Sequence, residues 1–281
     1  MTIAVLSATG AQSRAIADRL ARDHDVIRLS RTAGPGLSPV DTGSEDDLVR
    51  ALEGAQAVVL TSPLDYRPGI RIGLAERVTR AAERAGVGRL VLNLAAAVPA
   101  DNPRPVAEDL RQIRAIIQSG ATPWTVVQPT AYLDNFLAPW TLPAIVGDGV
   151  IASPAPAEAR ISYISHASLG DFVAGVIDRP SAAGRTYDIG GPEALSGQAL
   201  ADILSGAVGR PLTYLALDLD QFAAGLNAAF GAPTGDDVAD IYRHLSERPD
   251  ALVRDASPWT EIGVEPETAA AWAARQTWRL A

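Results

Sequence analysis

The feature that most restricts the fold is an alternation of short β-branched runs with longer stretches of helical period, sustained over the first half of the chain. Strands are predicted at Thr2–Ser7, Asp25–Ser30, Gln56–Thr61, Arg89–Leu94 and Trp124–Gln128. Val58-Val59-Leu60, Leu90-Val91-Leu92 and Thr125-Val126-Val127 are largely apolar at consecutive positions. Side chains on both faces of such strands need cover, as in a parallel sheet packed between helices. Helical patterns fill the gaps, over 12–22, 45–53, 71–85 and 105–118. In the third, Ile72, Ala75, Val78 and Ala82 make one apolar stripe with Arg and Glu opposite, and Gly86 supplies the C-terminal cap. Ser44 precedes three acidic residues, an N-cap followed by charges that suit a helix start. Such units, joined by right-handed crossovers, predict an α/β fold built on a doubly wound parallel sheet.

The first crossover carries the most chemistry. Strand one runs into Ser7-Ala8-Thr9-Gly10-Ala11-Gln12-Ser13 and then directly into a helix. N–H groups at such a helix start face a diphosphate well, provided that small residues let it approach. A plain βα turn of small residues is the competing reading. About 20 residues further on, a dinucleotide site places an acid for the ribose hydroxyls of NAD, or an arginine for the 2′-phosphate of NADP. Here strand two ends in Ser30 and Arg31 with no carboxylate. A guanidinium can clamp a phosphate through two parallel hydrogen bonds, which favours NADP(H) and leaves NAD(H) open. The alternative for Arg31 is a solvated loop arginine.

Composition removes whole classes of function. The 281 residues carry a net charge of −9, against any nucleic-acid partner. There is no cysteine, hence no disulfide, thiol nucleophile or thiolate metal site, and the three histidines show no metal-ligand spacing. Every one of the 24 basic residues is arginine. Without lysine, Schiff-base chemistry, a phosphate-binding P-loop lysine and a Tyr–Lys proton relay are all excluded. With no basic leader and no apolar run of about 18 residues, a cytoplasmic protein without a membrane span is expected.

Beyond residue 130, Pro139, Pro143, Pro154 and Pro156 break the pattern. A helix at 167–178, a strand at Arg185–Gly190, a helix at 197–207 and a strand at Pro211–Ala216 are predicted next. Helices at 218–230, 235–245 and 266–278 complete the chain.

The blocks SATGAQS, LSR, VDTGSEDDLVRALEGAQAVVLTSP, SGATPWTVVQPTAYLDNF and TYDIGGPEALSGQALADIL resemble, in order, those of the NmrA-like family over residues 2–215. These are atypical short-chain dehydrogenases/reductases with a Rossmann core that binds NADP. The resemblance implies a dinucleotide core over 1–150, with a returning strand and helix from about 160–195. A smaller, mostly helical substrate-binding region would span 196–281. Ser7 and Thr9 to Ser13 would cradle the diphosphate, Ser30 and Arg31 would meet the adenosine phosphate, and Asp41 would lie near the adenine. Thr61, Ser62 and Pro63 would border the ribose; Gln128, Pro129, Thr130 and Tyr132 would run past the nicotinamide. Two family glycines are serines here, Ser7 and Ser13.

Ordinary members of this superfamily protonate the new alkoxide with a Tyr-x-x-x-Lys pair and a helper serine. None of the six tyrosines is followed by even an arginine four residues on, and Ala95 and Ala96 stand where hydroxyls are expected. The candidates left are Tyr132, Asn135 and His166. Tyr132 also reads as an aromatic wall, and His166 as a solvent-facing residue at a helix start. Asp134 reads as a helix cap or surface carboxylate, and His24 and His244 fall in surface patterns. Phe222, Leu226, Phe230, Tyr242, Trp259, Trp272 and Trp278 form either core or the lining of an apolar pocket. The segment Gly231–Asp237 reads as a hinge. The resulting expectation is a ketoreductase of a bulky, apolar, polycyclic aromatic ketone of secondary metabolism, with the proton drawn from water or a substrate hydroxyl. An NADP(H)-sensing regulatory protein and a quinone reductase are the alternatives.

Overall fold

The structure is a computed structural model describing residues 1–99 and 101–279. The strands are β1 (Thr2–Val5), β2 (Asp25–Ser30), β3 (Ser38–Pro39), β4 (Ala57–Thr61), β5 (Arg89–Asn93), β6 (Trp124–Pro129), β7 (Val150–Ser153), β8 (Arg185–Ile189) and β9 (Thr213–Ala216). The first six helices are α1 (Ala11–Leu20), α2 (Glu45–Leu52), α3 (Ile70–Arg84), α4 (Pro105–Ser119), α5 (His166–Ile177) and α6 (Gly197–Val208). They are followed by α7 (Leu219–Phe230), α8 (Thr234–Glu247), α9 (Ser257–Ile262) and α10 (Ala269–Ala274).

Seven parallel strands form one sheet in the order β3-β2-β1-β4-β5-β6-β8. The two-residue alternation of strands explains its two cores. Ala4, Val58, Leu60, Leu90, Leu92 and Val126 point to the side covered by α2, α3 and α4. Ile3, Val5, Val59, Val91 and Val127 point to the side covered by α1 and α5. The strand order reverses between β1 and β4, so the crevice for a ligand opens at their carboxyl ends.

Several elements depart from expectation. β1 stops at Val5, because Ser7 has left the extended region. Two strands went unforeseen: β3, and β7, which pairs in parallel with β9 in a separate small sheet. The last predicted helix is only α10, preceded by the unforeseen α9. On α3, Arg71 does not join the polar face; it is buried, 3.9 Å from the centroid of the Tyr66 ring and 3.5 Å from Asp109. Trp259 and Trp272 are core residues, whereas Phe230 is exposed. The expected hinge is a turn tied by Asn227, which accepts from the Gly235 N–H and donates to Asp236. No described helix is long and apolar enough to cross a membrane.

Candidate active site

The loop from β1 to α1 keeps a glycine-loop backbone with few glycines. Ser7 sits at φ 56°, in the left-handed region that glycine enters freely and other residues enter at a cost of about 1–2 kcal/mol. Its carbonyl accepts the Gly10 N–H at 2.9 Å. A Cβ on Gly10 would lie 3.3 Å from that oxygen, so the turn keeps its one glycine where crowding demands it. No side chain caps α1. Ser44, Ser165, Ser196, Asp218 and Thr268 cap other helices. The first N–H groups of α1 therefore remain available to an anion. Thr9 and Ala11 are exposed, Gln12 is half-buried and Ser13 is buried.

At the end of β2, Ser30 turns inward and its hydroxyl takes the Thr32 N–H at 3.2 Å. Arg31 stays exposed, with no ion-pair partner among the described residues. It is nonetheless close enough to help Arg67 hold the Asp65 carboxyl below its usual range, the Arg67 hydrogen bond being the main cause. Asp41 is committed to the start of α2: its carboxylate accepts the Gly43 N–H, and its own N–H goes to Asp47. The residues present thus fit a dinucleotide with a phosphate on its adenosine half.

Between loop and sheet lies a network centred on Asn93, a residue not singled out from sequence. Asn93 is fully buried. Its Oδ1 accepts the Ala95 N–H at 3.1 Å, so its Nδ2 must face the other way. There it donates to Gln12 Oε1 at 2.8 Å, and more weakly to Thr61 Oγ1 at 3.5 Å. The Tyr132 hydroxyl donates to the same Gln12 oxygen at 2.9 Å. One backbone N–H therefore fixes two amide orientations in series, and the Gln12 Nε2 is left to donate elsewhere. Ser62 joins through its N–H on the Asn93 carbonyl, and Pro63 follows at the strand end.

Of the catalytic candidates, Tyr132 and His166 come together, their rings 4.8 Å apart, while Asn135 is exposed. His166 is not solvent-facing: its side chain is 14% exposed. The helix that begins with it is packed on most sides against α1 and α9. Asp134 accepts the His166 N–H at 2.8 Å and faces its Nδ1 at 3.6 Å. Burial pushes the imidazole below its ordinary value, with Asp134 opposing, and burial pushes the Tyr132 phenol well above its own. Both shifts favour the uncharged form, a neutral imidazole and an intact phenol. His24 and His244 are likewise withdrawn from the surface, beside Asp178 and Asp101.

Gln128 faces the other side of the sheet, between Arg114 (3.0 Å) and Asp188 (2.7 Å). Pro129 is buried in the pairing with β8, and the buried Thr130 hydroxyl is bonded to the Ser162 carbonyl. Trp140, 70% exposed, meets Phe230 edge-on at 6.4 Å, an aromatic pair standing in water.

The profile of the NmrA-like family matches residues 1–248. The (4-alkanoyl-5-oxo-2,5-dihydrofuran-3-yl)methyl phosphate reductase of Streptomyces griseus is 30% identical over 88% of this chain and 86% of its own length. The NAD(P)H azoreductase of Xenophilus azovorans is 28% identical over 80% of this chain and 76% of its own. Among solved structures, the NADPH complex of the Escherichia coli quinone oxidoreductase superposes with a TM-score of 0.79. It is 24% identical, covering 97% of this chain and 98% of that one.

Proposed function

The chain belongs to the NmrA-like family, and from that premise we propose that it is an NADP(H)-dependent reductase acting on a flat, conjugated carbonyl compound. The observation that carries this reading is the contrast within one crevice: an uncapped helix start that can hold a dinucleotide, beside a buried Tyr132 with no lysine anywhere in the chain to lower its pKa. Reduced nicotinamide would supply the hydride. The chain's own contribution is to hold and orient, which alone can provide a large share of rate enhancement. The α1 N-terminus and Gly10 hold the diphosphate, Arg31 the 2′-phosphate, and the Asn93–Gln12–Tyr132 network sets the floor. Tyr132 serves as a wall, not as an acid.

The finer reading is a bulky, polycyclic aromatic ketone, its proton coming from water or from its own hydroxyl. The exposed Trp140–Phe230 pair supports a flat apolar acceptor. Quinone reduction is the second reading, favoured by the E. coli relative and by the lesser need for an acid when the product is a stabilised phenolate. NADPH oxidation followed at 340 nm with a panel of polycyclic ketones and quinones tests both. Turnover of either class is expected. NADPH binding without any turnover, together with capture of a protein partner, would favour the regulatory alternative and overturn the enzyme.

A further inference from the structure

On the α4 side of the sheet edge lies a cavity of about 560 Å³, walled by the β5–α4 loop, α4, the ends of β6 and β8 and the α8–α9 connection. Arg111, Arg114, Arg248 and Arg254 line it against three carboxylates. Two of those carboxylates are ion-paired, and Asp188 is held by a neutral amide. Arg160, from outside, grips Asp250 at 2.9 and 3.1 Å; Arg248 meets Asp101 at 3.2 Å; Asp188 accepts from Gln128. Arg111 is spent on Glu108 and the Asn102 carbonyl.

Arg114 and Arg254 remain. Neither has a carboxylate within ion-pair distance among the described residues. Arg114 gives one N–H to the neutral Gln128 amide, and Arg254 gives Nη1 to the Ala251 and Val253 carbonyls. Both are partly withdrawn from water, where an unpaired charge is costly, and both point at one cavity in a chain of net charge −9. Burial lowers the Arg254 guanidinium's affinity for its proton, with the nearby Asp188 and Asp255 carboxylates opposing without reaching ion-pair distance. An incoming oxyanion would complete the set, since each guanidinium can offer parallel N–H donors.

This is not the cofactor's diphosphate site. Asn93, tied to Gln12, faces α1, whereas Gln128, tied to Arg114, faces α4. The two regions are nevertheless close. Val98, in the cavity wall, follows Ala96 by two residues, a span of at most about 7 Å.

We propose that this cavity binds the phosphate monoester group of a small-molecule substrate, with Arg114 and Arg254 as the clamp. The acceptor is then amphipathic, with a flat conjugated body and an anionic tail. The anion site stands on its own observations; its assignment to the substrate rests on the reductase reading.

Calorimetry with phenyl phosphate, without coenzyme, tests the site. Binding is expected, weakening with added NaCl, and roughly ten- to a hundredfold weaker in Arg254→Gln, with partial rescue in Arg254→Lys. NADPH fluorescence titration verifies that the variants are folded. Should Arg254→Gln fail to fold, Asp101→Asn, which releases Arg248, is expected to tighten phenyl phosphate severalfold. No heat in the wild type, equal affinity in Arg254→Gln, or no gain in Asp101→Asn overturns the proposal. Inorganic phosphate binding as tightly as phenyl phosphate also overturns it, marking a free-anion site only. Turnover of an uncharged quinone reads the reductase assignment separately.

Discussion

Replacing Asn93 tests whether the crevice floor is organised as its hydrogen bonds indicate. Asn93→Leu keeps the branching and the number of heavy atoms, with bulkier methyl groups, but removes the donor to Gln12 and the acceptor of the Ala95 N–H. Each lost bond costs about 0.5–1.5 kcal/mol net, and a buried N–H left without a partner about 1–3 kcal/mol. Ala95 N–H is only partly buried, so the lower half of that range applies, and the sum is about 2–4 kcal/mol. At roughly 2–4 °C per kcal/mol for a chain of this size, thermal unfolding should fall by about 5–15 °C. Coenzyme affinity should fall as well, since Gln12 keeps only its Tyr132 bond and its amide is free to turn. One neutral hydrogen bond corresponds to roughly a tenfold loss. Asn93→Asp tests the orientation of the Gln12 amide. Its carboxylate would face the Gln12 oxygen, so the amide must turn over and present that oxygen, not its amine, to the crevice. NADPH affinity should then fall below that of the leucine variant, and the buried carboxylate should lower the melting temperature as well. Calorimetric melting and NADPH fluorescence titration read both quantities. A leucine variant melting within about 2 °C of wild type, with NADPH affinity unchanged, refutes the network.

Three further outcomes follow from single residues. Arg31→Ala should weaken NADPH roughly ten- to a hundredfold and leave NADH untouched, because only the former carries the 2′-phosphate; equal losses sink that assignment. Ser7→Gly relieves a left-handed φ of 56° at the cost of a more flexible unfolded chain, for a net gain of up to about 1 kcal/mol; a lower melting temperature contradicts it. Burial holds the folded His166 below its ordinary value near 6.5, so on acidification the unfolded chain binds the proton first, and stability falls as pH drops through about 6.5. His166→Asn should flatten that part of the stability curve, and an unaltered slope in chemical denaturation between about pH 7 and 5.5 rules the account out.

The core strands were legible because their doubly apolar runs admit few other placements; β4 is buried at all five positions. β3 and β7 were not. Ser38–Pro39 is short, exposed and contains proline, and Val150–Ser153 finds its partner more than 60 residues later, across a proline-rich stretch. The turn from β1 to α1 could be read from its place between strand and helix, despite its serines. Asn93 offered a signal that went unused: a polar residue ending the run Arg89-Leu90-Val91-Leu92, which must be bonded if buried. What it bonds could not be inferred, because Gln12 lies 81 residues away. His166 and His244 were misread for a related reason. α5 is covered by α1 and α9, and α8 by α4 as well as by its neighbour α7, so both histidines are enclosed partly by distant segments that their own helices do not reveal.

Ser7 and Ala95 are the two non-glycine residues with positive φ among those described, and both border the crevice. One stands at the β1–α1 turn, the other just after β5, where a helper hydroxyl is expected. Each conformation is held by a hydrogen bond, from Gly10 to the Ser7 carbonyl and from Ala95 to Asn93. At both places the backbone shape is held by a hydrogen bond and does not depend on the side chain. Binding a dinucleotide depends mainly on backbone N–H groups and survives changes of side chain, whereas proton transfer depends on side chains acting in concert and does not. Restoring one member alone should therefore achieve little. General acid catalysis contributes about 10²–10⁴-fold when all partners are present, but this chain has no lysine to poise a tyrosine. Ala96→Ser should change kcat for a conjugated ketone by less than about threefold, with NADPH affinity unaltered. A rise of about tenfold or more would mean that a proton donor is already in place beside the substrate.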